Sequence, residues 1–184
     1  MPNLGIIASS KSGNLWAPGK DFDSIATTTV GTAVSSITFS SIPSTYRHLQ
    51  IRVMVNPSFG DDLRLQLNGD TTAANYYTHY LVGTGSAASA SGASTYYSGL
   101  GLGYNDAALA SSFGVHIIDI LDYANTSKNT TVRTLRGADY NTSGQITLLS
   151  GLWMNTAAVS SIVIANRGGA NMTQYSSFAL YGVK

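Results

Sequence analysis

The sequence contains no cysteine and no glutamate, and only 10% of its 184 residues are charged. Without cysteine the fold has neither disulfides nor thiolate metal sites, and nothing points to an oxidising compartment. The net charge is +1 and blocks of like charge are absent. Both features argue against an electrostatic footprint for nucleic acid or an anionic membrane, so we expect neither as a partner.

Targeting and membrane-spanning segments are missing as well. The first residues, "MPNLGIIASSKSGN", lack the basic stretch followed by an apolar stretch that marks a signal peptide. No apolar run approaches the roughly 18 residues of a spanning helix. We therefore expect a soluble protein made in the cytoplasm. Without a secretion signal, the Asn-x-Ser/Thr sequons at Asn125, Asn129, Asn141 and Asn171 are interpreted as turn chemistry.

The residues that are abundant favour β-structure. The chain has 19 glycines, 11 tyrosines and long Ser/Thr tracts, which favour strands and turns over helix surfaces. From residue 34 onward the apolar residues alternate with polar ones, as in half-buried strands. Eight or nine strands, with turns every 8 to 12 residues or so, predict one all-β domain, a jelly-roll-like antiparallel β-sandwich over residues 33–184. The positions expected to face the core include Leu49, Ile51, Val53, Val55, Leu63, Leu65 and Leu67.

Two segments outside this pattern are candidates for interactions. Residues 1–32 are predicted to form an extended arm that lies on a surface, with Leu15, Trp16 and Phe22 as its anchors. Residues 83–103 are rich in Gly, Ala and Ser and are predicted to form a loop. Tyr96 and Tyr97 within this loop and Tyr104 directly after it are candidates for an adaptable binding surface.

The sequence contains no catalytic or metal-binding pattern. Asp119 and Asp122 are three residues apart on a strand, so their side chains leave opposite faces. The three histidines have no metal-ligand spacing, and the acidic clusters 61–62 and 68–70 supply too few oxygens for calcium. They are interpreted as turn and surface charge. We expect no enzyme, no cofactor and no metal.

The stretch "DILDYANTSKNTTVRTLRGAD", residues 119–139, collects acids and cations within a few positions. The polar turn "ANTSKN" separates two β-patterned runs, which predicts an antiparallel hairpin. Asp119 or Asp122 would then lie across from Arg133 or Lys128 as a cross-strand pair. We interpret the stretch as a hairpin and not as a site.

Four strings carry a resemblance to a known class of proteins. They are "ITFSSIPSTYRHLQI" (37–51), "DILDYANTSKNTTVR" (119–133), "SGLWMNTAAVSSIVI" (150–164) and "SSFALYGVK" (176–184). Together they resemble segments of structural proteins of tailed bacteriophages. The resemblance implies a β-sandwich built into a virion, and it brings no catalytic residues with it.

The leading hypothesis is a capsid decoration (cement) protein, a homotrimer bound to the major capsid protein or to other virion subunits. The alternative is a tail fibre or tip domain that binds host glycans through its tyrosine-rich loop. A third hypothesis is a carbohydrate-binding module or lectin of a host, against which the missing secretion signal counts. An enzyme ranks last.

Overall fold

A computed structural model describes residues 21–94, 98–105, 111–140 and 143–184. The described residues form one short 3₁₀ turn, Ala73–Asn75, and twelve β-strands. The strands are β1 Phe22–Thr29, β2 Ser36–Phe39, β3 His48–Val55, β4 Asp61–Leu67, β5 Tyr76–Gly83, β6 Ala88–Ser94, β7 Leu100–Asn105, β8 Gly114–Leu121, β9 Thr130–Asp139, β10 Gly144–Trp153, β11 Ile162–Asn166 and β12 Ser177–Val183.

The strands form two antiparallel sheets, which confirms the predicted all-β sandwich, although the described residues form twelve strands and not the eight or nine expected. The large sheet has the order β1-β12-β3-β8-β9-β10-β5-β6, and the small sheet has the order β2-β11-β4-β7. Four pairs are nested along the chain: β1 with β12, β2 with β11, β3 with β8, and β4 with β7. Such nesting is the jelly-roll arrangement of a rolled-up hairpin. The pairs β5–β6 and β9–β10 are insertions that widen the large sheet.

The alternating pattern buries one face of each strand against the other sheet. In β3 the residues Leu49, Ile51, Val53 and Val55 are all buried, as predicted from the period of two. Leu63, Leu65 and Leu67 of β4 are fully buried opposite them. Trp153, Phe178 and Leu180 complete the same core. The turn after β4 is also confirmed, since Asn68 and Gly69 have positive φ values of 51° and 67°.

The prediction of a loop over residues 83–103 is wrong for most of this segment. Residues Ala88–Ser94 pair with β5 as an edge strand, and Leu100–Asn105 pair with β4 in the small sheet. Leu100 and Leu102 are fully buried. The small residues of β6 suit an edge strand that contributes little to the core. The glycines that alternate with leucines in β7 suit a strand that other chain segments approach closely.

The predicted arm divides into two parts. Residues 1–20 lie outside the described residues. Phe22–Thr29 is strand β1, which pairs with β12 along the edge of the large sheet, with a bulge between Ser24 and Ala26. This part of the predicted arm therefore belongs to the sandwich.

Candidate interaction surfaces

The acidic and basic stretch of residues 119–139 is a hairpin, as predicted. Strands β8 and β9 pair antiparallel, and Asp119 lies directly opposite Arg133. The Nη2 atom of Arg133 is 3.1 Å from Oδ2 of Asp119. Asp122 lies in the connecting turn and forms an ion pair with Lys128, which lowers the pKa of the Asp122 carboxyl through a hydrogen bond. Each carboxylate is thus engaged by its own cation within the hairpin.

Asp61 and Asp70 act as internal braces for the chain. The interpretation of Asp61 as surface charge is wrong, because its side chain is buried. It accepts hydrogen bonds from the backbone N–H groups of Gly168 at 2.6 Å and Ala170 at 3.3 Å. Asp70 accepts a hydrogen bond from Nε1 of Trp153 at 2.8 Å. Both carboxylates therefore fix loops against the sandwich.

The outer face of the large sheet carries an extended apolar surface. Seven large apolar side chains point outward there, with exposed fractions from 43% to 58%. We call this surface the apolar face; it consists of Met54, Leu81, Val115, Ile117, Leu135, Ile146 and Leu148.

Strand register arranges the apolar face in two adjacent rows that cross β3, β8, β9, β10 and β5. The first row runs Met54, Val115, Gly137, Ile146, Gly83, and the second row runs Arg52, Ile117, Leu135, Leu148, Leu81. With strands about 4.8 Å apart and same-face residues about 7 Å apart, two rows over five strands cover roughly 25 Å by 15 Å. This area, roughly 375 Å², is in the range of the largest apolar patches on soluble proteins, which are often functional.

Polar residues border the apolar face on one side. The next row contains Gln50, Asp119 and Arg133, and Nε2 of Gln50 donates to Oδ1 of Asp119 at 2.9 Å. Nε of Arg52 donates to Oε1 of Gln50 at 3.0 Å. An apolar centre with a hydrogen-bonded polar border is the composition of a protein–protein interface.

Of the residues predicted to make contacts, Phe22 lies near this face. Its ring packs edge-on against Tyr181 with 6.5 Å between centroids. The Arg52 guanidinium lies 5.7 Å from the Phe22 centroid and 5.3 Å from that of Tyr181. This cluster extends the apolar face toward β1.

The other predicted contact residues cannot be placed in a site. Leu15, Trp16, Tyr96 and Tyr97 lie outside the described residues. Tyr104 contributes its backbone to β7, where it pairs with Asp62, but its side chain lies outside the described part of the chain.

A second feature is a cleft of about 490 Å³ between β5 and β10 of the large sheet and β7 of the small sheet. Glycines of β7 and its approach form one wall, and Thr78, Tyr80 and Thr147 contribute to the other. Thr147 is only 3% exposed, and its Oγ1 has no hydrogen-bond partner among the described residues. The volume is in the range of small-molecule sites, about 300–1,000 Å³.

Charged groups adjoin this cleft. Asp62 lines the cleft, and burial raises the pKa of its carboxyl while the Arg167 charge opposes that shift. The buried side chain of Arg136 contacts Gly103, which also lines the cleft: a Cβ at Gly103 would be 2.8 Å from the Arg136 Cδ. Burial lowers the pKa of Arg136, and Tyr140 and Asp62 counteract it. Groups of three or more His, Asp, Glu or Cys side chains able to hold a metal ion are absent from the described residues.

The sequence contains a signal for the apolar face in strand β8. Apolar doublets such as Ile117-Ile118 and Ile120-Leu121 are typical of a strand that is buried on both sides or that contains a bulge. Instead β8 pairs without a register shift, with Ile118 and Ile120 buried and Ile117 exposed. An apolar doublet in a strand that has one solvent-facing side indicates an exposed apolar position.

None of the described helical residues forms a segment long and apolar enough to cross a membrane. No family model, no curated protein and no solved structure matches this chain.

Proposed function

We propose that this chain is a non-enzymatic structural protein of a phage virion, a decoration protein that binds the outer surface of the capsid and stabilises it. The proposal combines the resemblance of four strings to tailed-phage structural proteins with the apolar face. Those strings supply parts of β2–β3, of the β8–β9 hairpin, of β10–β11 and of β12. The resemblance thus involves strands of both sheets.

The apolar face is the observation that carries the proposal. Seven large apolar side chains are about half exposed on one face of the large sheet, and the largest apolar patch of a soluble protein is often functional. In a virion, such a surface is covered by a neighbouring subunit. The exposed row of Leu135, Leu148 and Leu81 contributes to binding only when water is removed from it. A subunit of an assembly can bury this surface against a neighbouring subunit, whereas a free-standing binding module leaves it exposed to water.

Localisation on purified particles tests the proposal. A cryo-EM map into which the sandwich is fitted, or immunogold labelling, should find many copies over the capsid shell. Density confined to a few copies at the tail would contradict the decoration role, and absence from particles would contradict a virion role altogether.

The predicted arm adds a second test. Because Phe22–Thr29 is a strand of the large sheet, the informative deletion is residues 1–20, which leaves β1 intact. We expect the shortened protein to keep its thermal unfolding temperature and to occupy heads less fully. Unchanged occupancy would contradict a strapping role for this segment. The homotrimer implied by the resemblance stays a prediction.

A second candidate function is glycan binding by a tail fibre or tip subunit, and the cleft is the observation that favours it. Its wall combines the aromatic ring of Tyr80 with the hydroxyl of Thr147 and the amide of Gln145. Hydroxyl, amide and aromatic groups together suit a sugar, which presents both hydroxyls and an apolar ring face.

A glycan array with the isolated protein tests this alternative. Saturable binding that is lost in Tyr80→Ala and kept in Tyr77→Ala would support it, because Tyr77 lies on the same strand but is not among the residues that line the cleft. No binding on the array, or equal loss in both variants, would count against the cleft as a sugar site.

A further inference from the structure

We infer that the apolar face is covered by a second copy of this chain, packed face to face about a two-fold axis. This inference rests on the proposed function, because it names the partner of the same surface. The shape and the charge of that surface are self-complementary.

The two rows of the apolar face differ in shape. The first row contains two glycines, Gly137 and Gly83, and the second row has Leu135 and Leu81 at the neighbouring positions of the same strands. The glycine positions are open. A Cβ at Gly137 would meet no heavy atom nearer than Val115 Cγ2 at 4.0 Å, and one at Gly83 would meet Ile146 Cγ2 at 3.5 Å. On β9 and β5 the first row therefore has hollows where the second row has projections, while on β8 and β10 both rows carry large exposed side chains.

The two-fold axis lies between the large sheets of the two copies, runs perpendicular to the strands and passes midway between the two rows. A half-turn about this axis exchanges the rows. Each row of one copy then faces the other row of its partner. Leu135 lies over Gly137, and Leu81 lies over Gly83. Packed sheets interdigitate their side chains in this way at a separation of about 10 Å. Large residues thus meet small ones at two positions in each half of the interface.

Charge is compatible with this axis. Along β9, Arg133 lies beyond the second row and Asp139 lies beyond the first, both on the outer face and both exposed, and Arg133 also pairs with Asp119 of its own chain. The half-turn across the strands brings Arg133 of each copy opposite Asp139 of the other. A half-turn about an axis parallel to β9 and passing over it, at the centre of the five strands, would instead bring Arg133 opposite itself, which like-charge repulsion disfavours.

The size of the surface bears on a pairing of subunits. The apolar centre covers roughly 375 Å², so the polar border has to supply the rest of the ~800 Å² that each partner buries in a standard interface. A sheet face can be covered face to face by one other copy, and the two patches are then the same patch, as in an isologous dimer. This arrangement differs from the homotrimer that the resemblance implies.

Light scattering coupled to size exclusion, with sedimentation equilibrium over about 1–100 µM protein, measures the state of the full chain. We expect a mass of twice the 19.3 kDa chain. Leu135→Lys should weaken association by at least about 30-fold, because it places a charge in the apolar centre. Thr131→Lys is the matched control: it adds the same charge on the same strand and face, but outside the two rows, and should leave the dimer intact.

Gly137→Val separates specific pairing from general stickiness. The substitution adds apolar surface, so a non-specific apolar contact would become stronger. If Leu135 of the second copy occupies the hollow above Gly137, the added side chain collides with it and association weakens. Circular dichroism and thermal unfolding of each variant verify that the fold is retained.

A monomeric or trimeric wild type, a dimer unaffected by Leu135→Lys, or a dimer strengthened by Gly137→Val would each overturn the inference. These results are independent of the particle test. A protein found over the capsid but monomeric in solution would contradict the pairing and leave the proposed function standing. A dimer that is absent from particles would support the pairing and contradict the proposed function.

Discussion

His116 and Arg136 lie directly opposite each other on the inner faces of β8 and β9, and both side chains are almost completely buried. Burial, followed by the Arg136 charge, lowers the pKa of His116 to about 3. The histidine is therefore neutral in the folded protein near neutral pH, and it accompanies a buried cation in the interior of the sandwich.

This relationship predicts acid sensitivity. In the unfolded chain His116 takes up a proton near its ordinary pKa, whereas the folded chain resists protonation down to a pKa of about 3. Stability is therefore fully present above about pH 6.5 and declines as the pH falls toward 3, by up to about 1.4 kcal/mol per pH unit. Urea unfolding at several pH values measures the slope.

The variant His116→Gln should flatten that slope, since it removes the titrating group. The exposed His79 provides the control, and the change in slope should be larger in His116→Gln than in His79→Gln. Equal slopes in wild type and His116→Gln would contradict the assignment.

Asp70 predicts a second, more acidic transition. Burial raises its pKa, but the hydrogen bonds from Trp153, Asn75 and Thr72 outweigh this effect and lower the pKa to about 2. A carboxyl whose pKa is lowered by folding stabilises the fold at pH values above its pKa in the unfolded chain, which is near 4. This contribution is lost as the pH falls from about 4 to 2.

Thermal unfolding of Asp70→Asn between pH 2 and pH 7 tests this assignment. The variant should be less stable than the wild type at pH 7, by about 1–2 kcal/mol for the weakened hydrogen bonds, and the difference should shrink toward pH 2. A difference that is constant over this range would show that the Asp70 charge contributes nothing.

Asp61 predicts a large loss of stability at a position that looks like surface charge in the sequence. Its carboxylate accepts hydrogen bonds from the N–H groups of Asp62, Gly168 and Ala170. Asp61→Ala leaves buried donors without an acceptor, so the free energy of unfolding should fall by about 2–4 kcal/mol. Asp23→Ala removes an exposed ion pair with Lys184 and should have little effect. Similar results for the two variants would contradict the bracing role.

Gly182 and Tyr46 predict non-additive effects. The Tyr46 ring lies so close to Gly182 that an added Cβ would be 2.3 Å from its Cγ. Gly182→Ala should therefore be strongly destabilising, by about 3 kcal/mol, because the ring has to move. In a Tyr46→Ala background the same substitution should cost much less. A double-mutant cycle from urea unfolding measures the coupling, and additive effects would contradict this contact.

Much of the sandwich follows from the sequence because burial on one face imposes a period of two. The inward positions of β3 and β4 and the turn at Asn68-Gly69 were predictable for that reason. The strand at Ala88–Ser94 was not, because its alanines and serines are too small to mark a buried face although they alternate, and because its pairing with β5 is a tertiary contact. The hydrogen-bonding role of Asp61 depends on residues more than a hundred positions away.

The apolar face was hidden for a related reason. Alternation identifies which residues of one strand share a side, but the two rows exist only once register places Leu135 beside Leu148 and Ile117. Register between strands that are distant in sequence is set by the whole sheet. The cleft is likewise a product of how the sheets separate near β7, which no local pattern encodes.

The position of β1 has a consequence for how the chain acquires its structure. Its neighbour in the sheet is β12, whose residues leave the ribosome more than a hundred positions later. During synthesis β1 therefore has no partner, while β8, β9 and β10 can already pair in sequence order. Such long-range pairing is expected to slow folding and to leave an unpaired edge open to other chains in the meantime. Removing β12 would deprive both β1 and β3 of a neighbour.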